Sequence, residues 1–265
     1  MQRTRLGVLG WPVAHSRSPA MQNAALQAVG LADWRYQLLP VPPDRFDETV
    51  RALPCLGFRG ANVTIPHKQA ALALADEAAD SARAIGAANT LLFELDGIRA
   101  ENTDAPALIA ALPFHVHGRT ALVLGAGGSA RAAVWALLDA GAAEVRVWNR
   151  TAERAERLCH EIGGTPVVKA QSADVLVNCT SVGLDDTVDP FKLLPIAADL
   201  LNRYRCVVDF VYSERGTDLV RAARAQGIQV VDGIELLVGQ GALSFERFTG
   251  RPAPTALMHE AVRGE

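Results

Sequence analysis

The chain is predicted to be an α/β protein: an N-terminal domain on a mainly parallel sheet, a Rossmann-type second domain, and C-terminal helices that return to the first. Three observations predict it. Short β-branched runs alternate with helical segments along most of the 265 residues, the rhythm of parallel strands joined by crossover helices. A glycine loop, Gly125-Ala126-Gly127-Gly128-Ser129, stands between an apolar run and a helical one. The stretch Gly60-Ala-Asn62-Val-Thr64-Ile-Pro66-His67-Lys68 reads as a buried strand that ends in polar groups and passes directly into a helix.

The totals are consistent with this. The length suits two modest domains. Apolar residues make up 49% and charged residues 21%, as in globular rather than disordered or membrane chains. A net charge of −3 gives no reason to expect nucleic acid as a partner. Cys55, Cys159, Cys179 and Cys206 are scattered, with no C-x-x-C pair and no histidine cluster. They read as reduced, buried thiols of a cytoplasmic protein without a metal site. Residues 1–5 carry two arginines, but the apolar run behind them is short and broken by Gly10 and Pro12. That is a first strand rather than a signal peptide or membrane span.

Taken in order, residues 6–10 form a strand; Ser18 as N-cap and Pro19 as first helical residue open a helix that Gly30 closes. Residues 34–39 are a second strand, Pro42-Pro43-Asp44 starts a second helix, and a third strand ends at Ile65. Pro66 fits a first helical position, where its missing N–H costs nothing. Asp96-Gly97 lies between two strand-like runs and signals a hairpin. The chain then crosses to a second domain through residues 108–118. Strands follow at 121–124, 145–148, 175–177, 207–209 and 228–231, with a helix at 129–140 capped by Gly141. Residues 235–249 are apolar along one face, and a last helix follows Pro254.

Gly125, Gly127 and Ala130 match the dinucleotide fingerprint G-x-G-x-x-G/A: a tight turn, close backbone approach to a pyrophosphate, and close helix–strand packing. The helix start offers free N–H groups to the phosphates. The next strand ends at Asn149-Arg150-Thr151, with Arg154 a turn later. A carboxylate here would suit NAD; two guanidinium groups suit the 2′-phosphate of NADP through charge-assisted hydrogen bonds. The plainer alternative is a pair of helix-face arginines bound to Glu153 or Glu156.

Lys68 falls just beyond the carboxyl end of a strand, where open α/β sheets place ligands, and a lysine there can move a proton beside a small polar substrate. Four further clusters accompany it: Gly10-Trp-Pro12-Val-Ala-His15-Ser16-Arg-Ser18-Pro19, Gly86-Ala-Ala-Asn89-Thr90, Asn102-Thr103-Asp104, and Asp232-Gly233 through Gln240. With the N-V-T-I-P-H-K stretch and the glycine loop, they closely resemble the shikimate dehydrogenase family, which includes shikimate and quinate dehydrogenases. The resemblance covers nearly the whole chain, in order and spacing.

The resemblance implies a substrate domain over residues 1–108, completed by 237–265, and an NADP domain over 109–236, with the substrate in the cleft. It implies that Ser16 and Ser18 bind a substrate carboxylate and that Asn62, Thr64, Lys68, Asn89, Asp104, Tyr212 and Gln240 surround ring hydroxyls. Lys68 and Asp104 correspond to the family's catalytic pair. Gly125, Ala126, Gly127, Gly128, Ser129, Asn149, Arg150, Thr151 and Arg154 correspond to its phosphate loop and adenosine-phosphate clamp. Thr180, Phe210 and Gly233 fall where the family lines the cofactor. The residue types agree with this: ring hydroxyls both donate and accept, as Ser, Thr, Asn and Gln do.

Each residue also has a plainer reading: Ser18 as a cap, Asn89 as a turn former, Asp104 as a helix N-terminal carboxylate, and His15 and His67 as structural. Ala100 and Ala105, Ser213-Glu214, Thr217-Asp218 and Glu235-Leu236 depart from the family pattern, which touches loop shape rather than the proton-transfer pair. The expected reaction is NADPH-dependent, reversible reduction of 3-dehydroshikimate to shikimate in aromatic amino acid biosynthesis, with Lys68 as acid. The expected protein is a monomer or homodimer. The alternatives are a quinate/shikimate dehydrogenase of a catabolic route using NAD or NADP, an aminoshikimate-type relative, and a non-catalytic NADP-sensing regulator.

Overall fold

The structure, a computed structural model, describes residues 4–213 and 215–264; Glu214, one of the positions that depart from the family pattern, and residues 1–3 of the predicted first strand's lead-in lie outside these. The chain divides into two compact units, Met1–Asp104 with Val238–Glu265, and Ala105–Leu237.

In the first unit the elements follow one another as β1 (Arg5–Gly10), α1 (Ser18–Ala28), β2 (Arg35–Pro40), α2 (Phe46–Ala52), β3 (Phe58–Val63), α3 (Lys68–Leu74), β4 (Glu77–Ala78), α4 (Asp80–Ile85), β5 (Thr90–Glu94) and β6 (Gly97–Glu101). The sheet order is β2-β1-β3-β5-β6-β4. β1 runs parallel to β2 and β3, β5 is antiparallel to β3, and β6 is antiparallel to β5. Leu9, Phe46, Val50, Ala61, Val63 and Leu91 form the core on one face. On β3, the Phe248 ring sits so close that a Cβ on Gly60 would lie 2.5 Å from its Cε1 and 2.7 Å from the Leu91 carbonyl oxygen. Gly60→Ala is therefore expected to cost about 1–3 kcal/mol through overpacking. Urea unfolding should show a lower midpoint at unchanged slope; an unchanged midpoint would mean the ring yields freely.

Several local expectations are corrected. β3 stops at Val63: the Thr64 N–H still bonds the Leu9 carbonyl of β1, but its own carbonyl accepts the His67 N–H in a turn. Pro66 lies in that turn, behind a cis Ile65–Pro66 peptide, and the helix starts two residues later at Lys68. Ser18 is not an N-cap: Arg17 occupies that position, and the Ser16 hydroxyl accepts the Ser18 N–H at 3.3 Å, so Ser18 is already helical. The residues after Pro42 make a short 3-10 turn before α2 begins at Phe46. The hairpin turns on Leu95-Asp96, with Glu94 opposite Gly97. Gly97 has φ +144°, and Asp76 accepts the adjoining Ile98 N–H at 2.8 Å, leaving no room for a Cβ. The cysteines are all free, but only Cys159 and Cys206 are buried; Cys55 is exposed and Cys179 half-buried.

The second unit follows from α5 (Asp104–Ala111): β7 (Thr120–Leu124), α6 (Gly128–Asp139), β8 (Glu144–Trp148), α7 (Ala152–Ile162), β9 (Thr165–Pro166), β10 (Val175–Asn178), β11 (Cys206–Asp209), α8 (Asp218–Ala225) and β12 (Gln229–Val231). Its sheet is wholly parallel, in the order β12-β11-β10-β7-β8-β9. Counting from β7, this is the doubly wound order 3-2-1-4-5-6, with the switch point between β7 and β10. The strands are apolar on both faces: Ala121 and Val123 join one core, Leu122 and Leu124 the other. A parallel sheet covered by helices on both sides requires this.

Then α9 (Gly233–Thr249) leads back into the first unit, and α10 (Thr255–Arg263) lies along α1, where Arg17 Nη1 donates to the Val262 carbonyl at 2.7 Å. Among the described residues, no helix is long and apolar enough to cross a membrane.

Candidate active site

In the first unit, backbone hydrogen bonds hold two of the sequence clusters together. Thr64 N donates to the Leu9 carbonyl at 2.8 Å, and Trp11 N to the Ile65 carbonyl at 3.0 Å. The loop carrying Ser16 and Ser18 is thereby held beside the one carrying Thr64 and leading to Lys68. Ser18 is buried, Ser16 and Thr64 half-buried.

Lys68 and Asp104 open α3 and α5, so each side chain springs from a fixed helix start. Their ion pair measures 2.6 Å, with side chains 10% and 6% exposed. The other Asp104 oxygen accepts from Asn89 Nδ2 at 2.9 Å, and the Asp104 N–H donates to Asn102 Oδ1 at 3.1 Å. Both carboxylate oxygens are thus engaged. Asn89 is oriented in turn: its Oδ1 accepts the Thr103 N–H at 2.8 Å, and its Nδ2 also reaches Thr103 Oγ1 at 2.9 Å and Gln240 Oε1 at 3.4 Å. Residues 68, 89, 104 and 240 therefore converge within one unit. Asp104 is at once the helix N-terminal carboxylate of its plainer reading and the lysine's partner. Asn89 stands in the bend that leads into β5, as its plainer reading has it.

Asn62 belongs to the same network and is buried with it. Its Oδ1 accepts from Tyr36 Oη at 2.8 Å and Ser244 Oγ at 3.4 Å; its Nδ2 donates to the Asn89 carbonyl at 3.2 Å and Thr90 Oγ1 at 3.1 Å. Its hydrogen-bonding capacity is met by its own unit. Tyr36, Thr90, Thr103 and Ser244 were not singled out from the sequence; Thr90 and Thr103 carried a signal there only as members of the clusters around Asn89 and Asp104. His67 is buried, stacked on Phe46 and bound through Nε2 to the Val41 carbonyl oxygen at 2.7 Å, and burial lowers its pKa. His15 is exposed.

In the second unit, Gly125 follows β7 with φ +110°, and a Cβ on it would sit 3.1 Å from the Cys179 carbonyl. Gly127 caps α6, and a Cβ there would meet nothing within 4 Å. The loop therefore leaves open space in front of a helix start, which fits a pyrophosphate. Ala126 and Ser129 are half-buried beside it, Gly128 is the first residue of α6, and the third fingerprint position, Ala130, is fully buried. Asn149 Nδ2 donates to the Thr151 carbonyl at 2.9 Å, shaping the turn. Arg150, Thr151 and Arg154 are exposed, and among the described residues neither guanidinium is paired with Glu153 or Glu156. Across the switch point, Thr180 donates through N and Oγ1 to Asn178 Oδ1, at 3.1 and 2.7 Å. Phe210 is half-buried at the end of β11, as is Tyr212 two residues on. Gly233 admits no side chain, since its Cβ would lie 2.5 Å from the Val211 carbonyl oxygen. These residues fit a phosphorylated dinucleotide.

Residues 8–91 match the shikimate dehydrogenase substrate binding domain, residues 109–182 the shikimate / quinate 5-dehydrogenase family, and residues 233–263 the shikimate 5'-dehydrogenase C-terminal domain. The shikimate dehydrogenase (NADP(+)) of Anaeromyxobacter sp. (strain K) is 46% identical, over 98% of this chain and 96% of that one. That of Paracoccus denitrificans (strain Pd 1222) is 45% identical over 92% and 90%. Among solved structures, shikimate 5-dehydrogenase from Thermus thermophilus, in complex with NADP(H) and shikimate, superimposes with a TM-score of 0.88 at 41% identity, covering 98% of this chain and 99% of that one.

Proposed function

The chain belongs to the shikimate dehydrogenase family, and from that premise we propose that it is an NADP-dependent oxidoreductase interconverting 3-dehydroshikimate and shikimate, within aromatic amino acid biosynthesis. The observation that carries the reading is the Lys68–Asp104 ion pair at 2.6 Å, held by Asn89 in the unit that matches the substrate binding domain. An ammonium with fixed geometry is what a ketone oxygen needs as negative charge develops on it.

In the reducing direction, Lys68 stabilises that oxygen and donates a proton to it, then recovers a proton from solvent. Asp104 holds the ammonium in place and, with Asn89 and Gln240, addresses the ring hydroxyls. Thr64 adds a donor and an acceptor to the ring; Ser16 and Ser18 take the carboxylate. We assign Asn62 to the placing of Asn89, since its polar atoms are already engaged. When bound, NADPH supplies the hydride. Residues 125–129 would hold its pyrophosphate, Asn149, Arg150, Thr151 and Arg154 its adenosine phosphate, and Thr180, Phe210 and Gly233 would line its remaining length. On this reading, residues 1–108 with 237–265 serve the substrate and 109–236 the cofactor. The protein works in the cytoplasm as a monomer or homodimer.

Nicotinamide absorbance during incubation with shikimate or quinate, each with NADP+ or NAD+, tests the proposal. Turnover should be fastest with shikimate and NADP+. Faster turnover of quinate with NAD+ would favour the catabolic alternative. NADPH binding without turnover of either acid would indicate a non-catalytic binder.

A further inference from the structure

Asp209 is a buried carboxylate that the proposed chemistry does not use. It ends β11 with no solvent exposure, and burial pushes its carboxyl up to about 6 despite the hydrogen bonds that pull it down. Its partners are all donors: Asn178 Nδ2 at 2.9 Å and Val211 N at 3.0 Å on Oδ1, and Thr217 Oγ1 at 2.6 Å on Oδ2. The Thr217 hydroxyl is held in this role, because its oxygen accepts the Val220 N–H at 3.2 Å as the cap of α8. The site therefore calls for a side chain that only accepts, which is a carboxylate and not an amide.

The requirement is transmitted to the switch point. With Nδ2 of the fully buried Asn178 donating to Asp209 at 2.9 Å and to the Val182 carbonyl at 3.2 Å, its Oδ1 faces the other way and takes both the N–H and the hydroxyl of Thr180. The same carboxylate holds Val211 N, between Phe210 and Tyr212. One buried side chain thus bonds groups at the loop ends of both β10 and β11, at the carboxyl edge where a parallel sheet binds its ligand.

We propose that Asp209 is a positioning residue for cofactor binding, fixing the amide orientation of Asn178 and through it Thr180, together with the Phe210–Tyr212 backbone. The inference rests on the cofactor reading above. Its test is NADPH binding by fluorescence titration, together with steady-state kinetics, on the whole protein and on Asp209→Ala and Asp209→Asn. Asp209→Ala should raise the NADPH Kd and KM about tenfold. The KM for shikimate and kcat at saturating NADPH should stay within about twofold. Asp209→Asn keeps one oxygen for Asn178 and Val211, so it should recover most of the loss, leaving a rise of about threefold. A fall in kcat alone, in proportion to a lost folded fraction by circular dichroism, would overturn the proposal; so would unchanged NADPH binding in a folded variant. Should Asp209→Ala fail to fold, Asp209→Asn decides, a threefold rise supporting the inference and an unchanged Kd overturning it. Absence of NADPH binding by the unaltered protein would remove the cofactor reading and this inference with it; binding that is equal in all three proteins removes this inference alone.

Discussion

Lys68→Ala is expected to lower kcat by about 10²–10⁴-fold, the usual contribution of a positioned proton donor, while the KM for shikimate moves little. The asymmetry follows from where the charge is: the ketone oxygen becomes strongly negative only in the transition state, so the lost interaction is mostly absent from the ground state. A second effect must be separated from the first. Asp104 is 6% exposed in side chain and loses its cation, and leaving one partner of a buried pair alone typically costs about 3–5 kcal/mol of stability. That loss reduces the folded fraction, not the rate of each folded molecule. Activity should therefore be normalised to active protein, and Lys68→Ala/Asp104→Ala measured alongside. The double variant should regain stability without regaining rate. A Lys68→Ala enzyme with only a raised KM would remove Lys68 from proton transfer.

Arg150→Ala is expected to reduce the preference for NADPH over NADH by about ten- to a hundredfold, since a hydrogen bond to a charged group contributes about 1.5–3 kcal/mol and each 1.4 kcal/mol is tenfold. Arg150 is exposed just past the end of β8 and is not engaged with the neighbouring glutamates, so it is free to meet a 2′-phosphate. The readout is the ratio of kcat/KM for the two cofactors, with NADH kinetics as the internal control. The preference should weaken further at high ionic strength, because an exposed charge pair is screened. A ratio unchanged by the substitution would exclude the clamp.

Much of the second unit was legible in the residues. Alternating apolar and helical runs, a glycine loop placed between a strand and a helix, and Gly141 closing that helix are local signals, and each of these elements appears within a residue or two of its expected place. Boundaries that depend on other partners were not legible. Pro66 has the chemistry of a first helical residue, yet the Thr64–His67 turn takes it out of α3. Ser18 has the chemistry of a cap, yet Ser16 supplies the acceptor to its N–H. Asp96-Gly97 has the chemistry of a two-residue turn, yet the Asp76 carboxylate draws the register back by one. In each case a particular hydrogen bond outweighed a propensity of a few tenths to about one kcal/mol.

Composition and local pattern were sufficient for an α/β chain with a Rossmann-type second unit, a glycine loop between strand and helix, and a guanidinium-bearing strand end, because those features depend on residues within one or two turns of each other. The meeting of Lys68 with Asp104 across 36 positions, the hydrogen bond from Asn62 Nδ2 to the Asn89 carbonyl, and the donor-only pocket that Asn178, Val211 and Thr217 build around Asp209 belong to the folded molecule. Side-chain hydrogen bonds are short and directional, so the partner of a buried polar group is chosen by what the packed core brings within about 3 Å, and spacing along the chain carries no record of that choice.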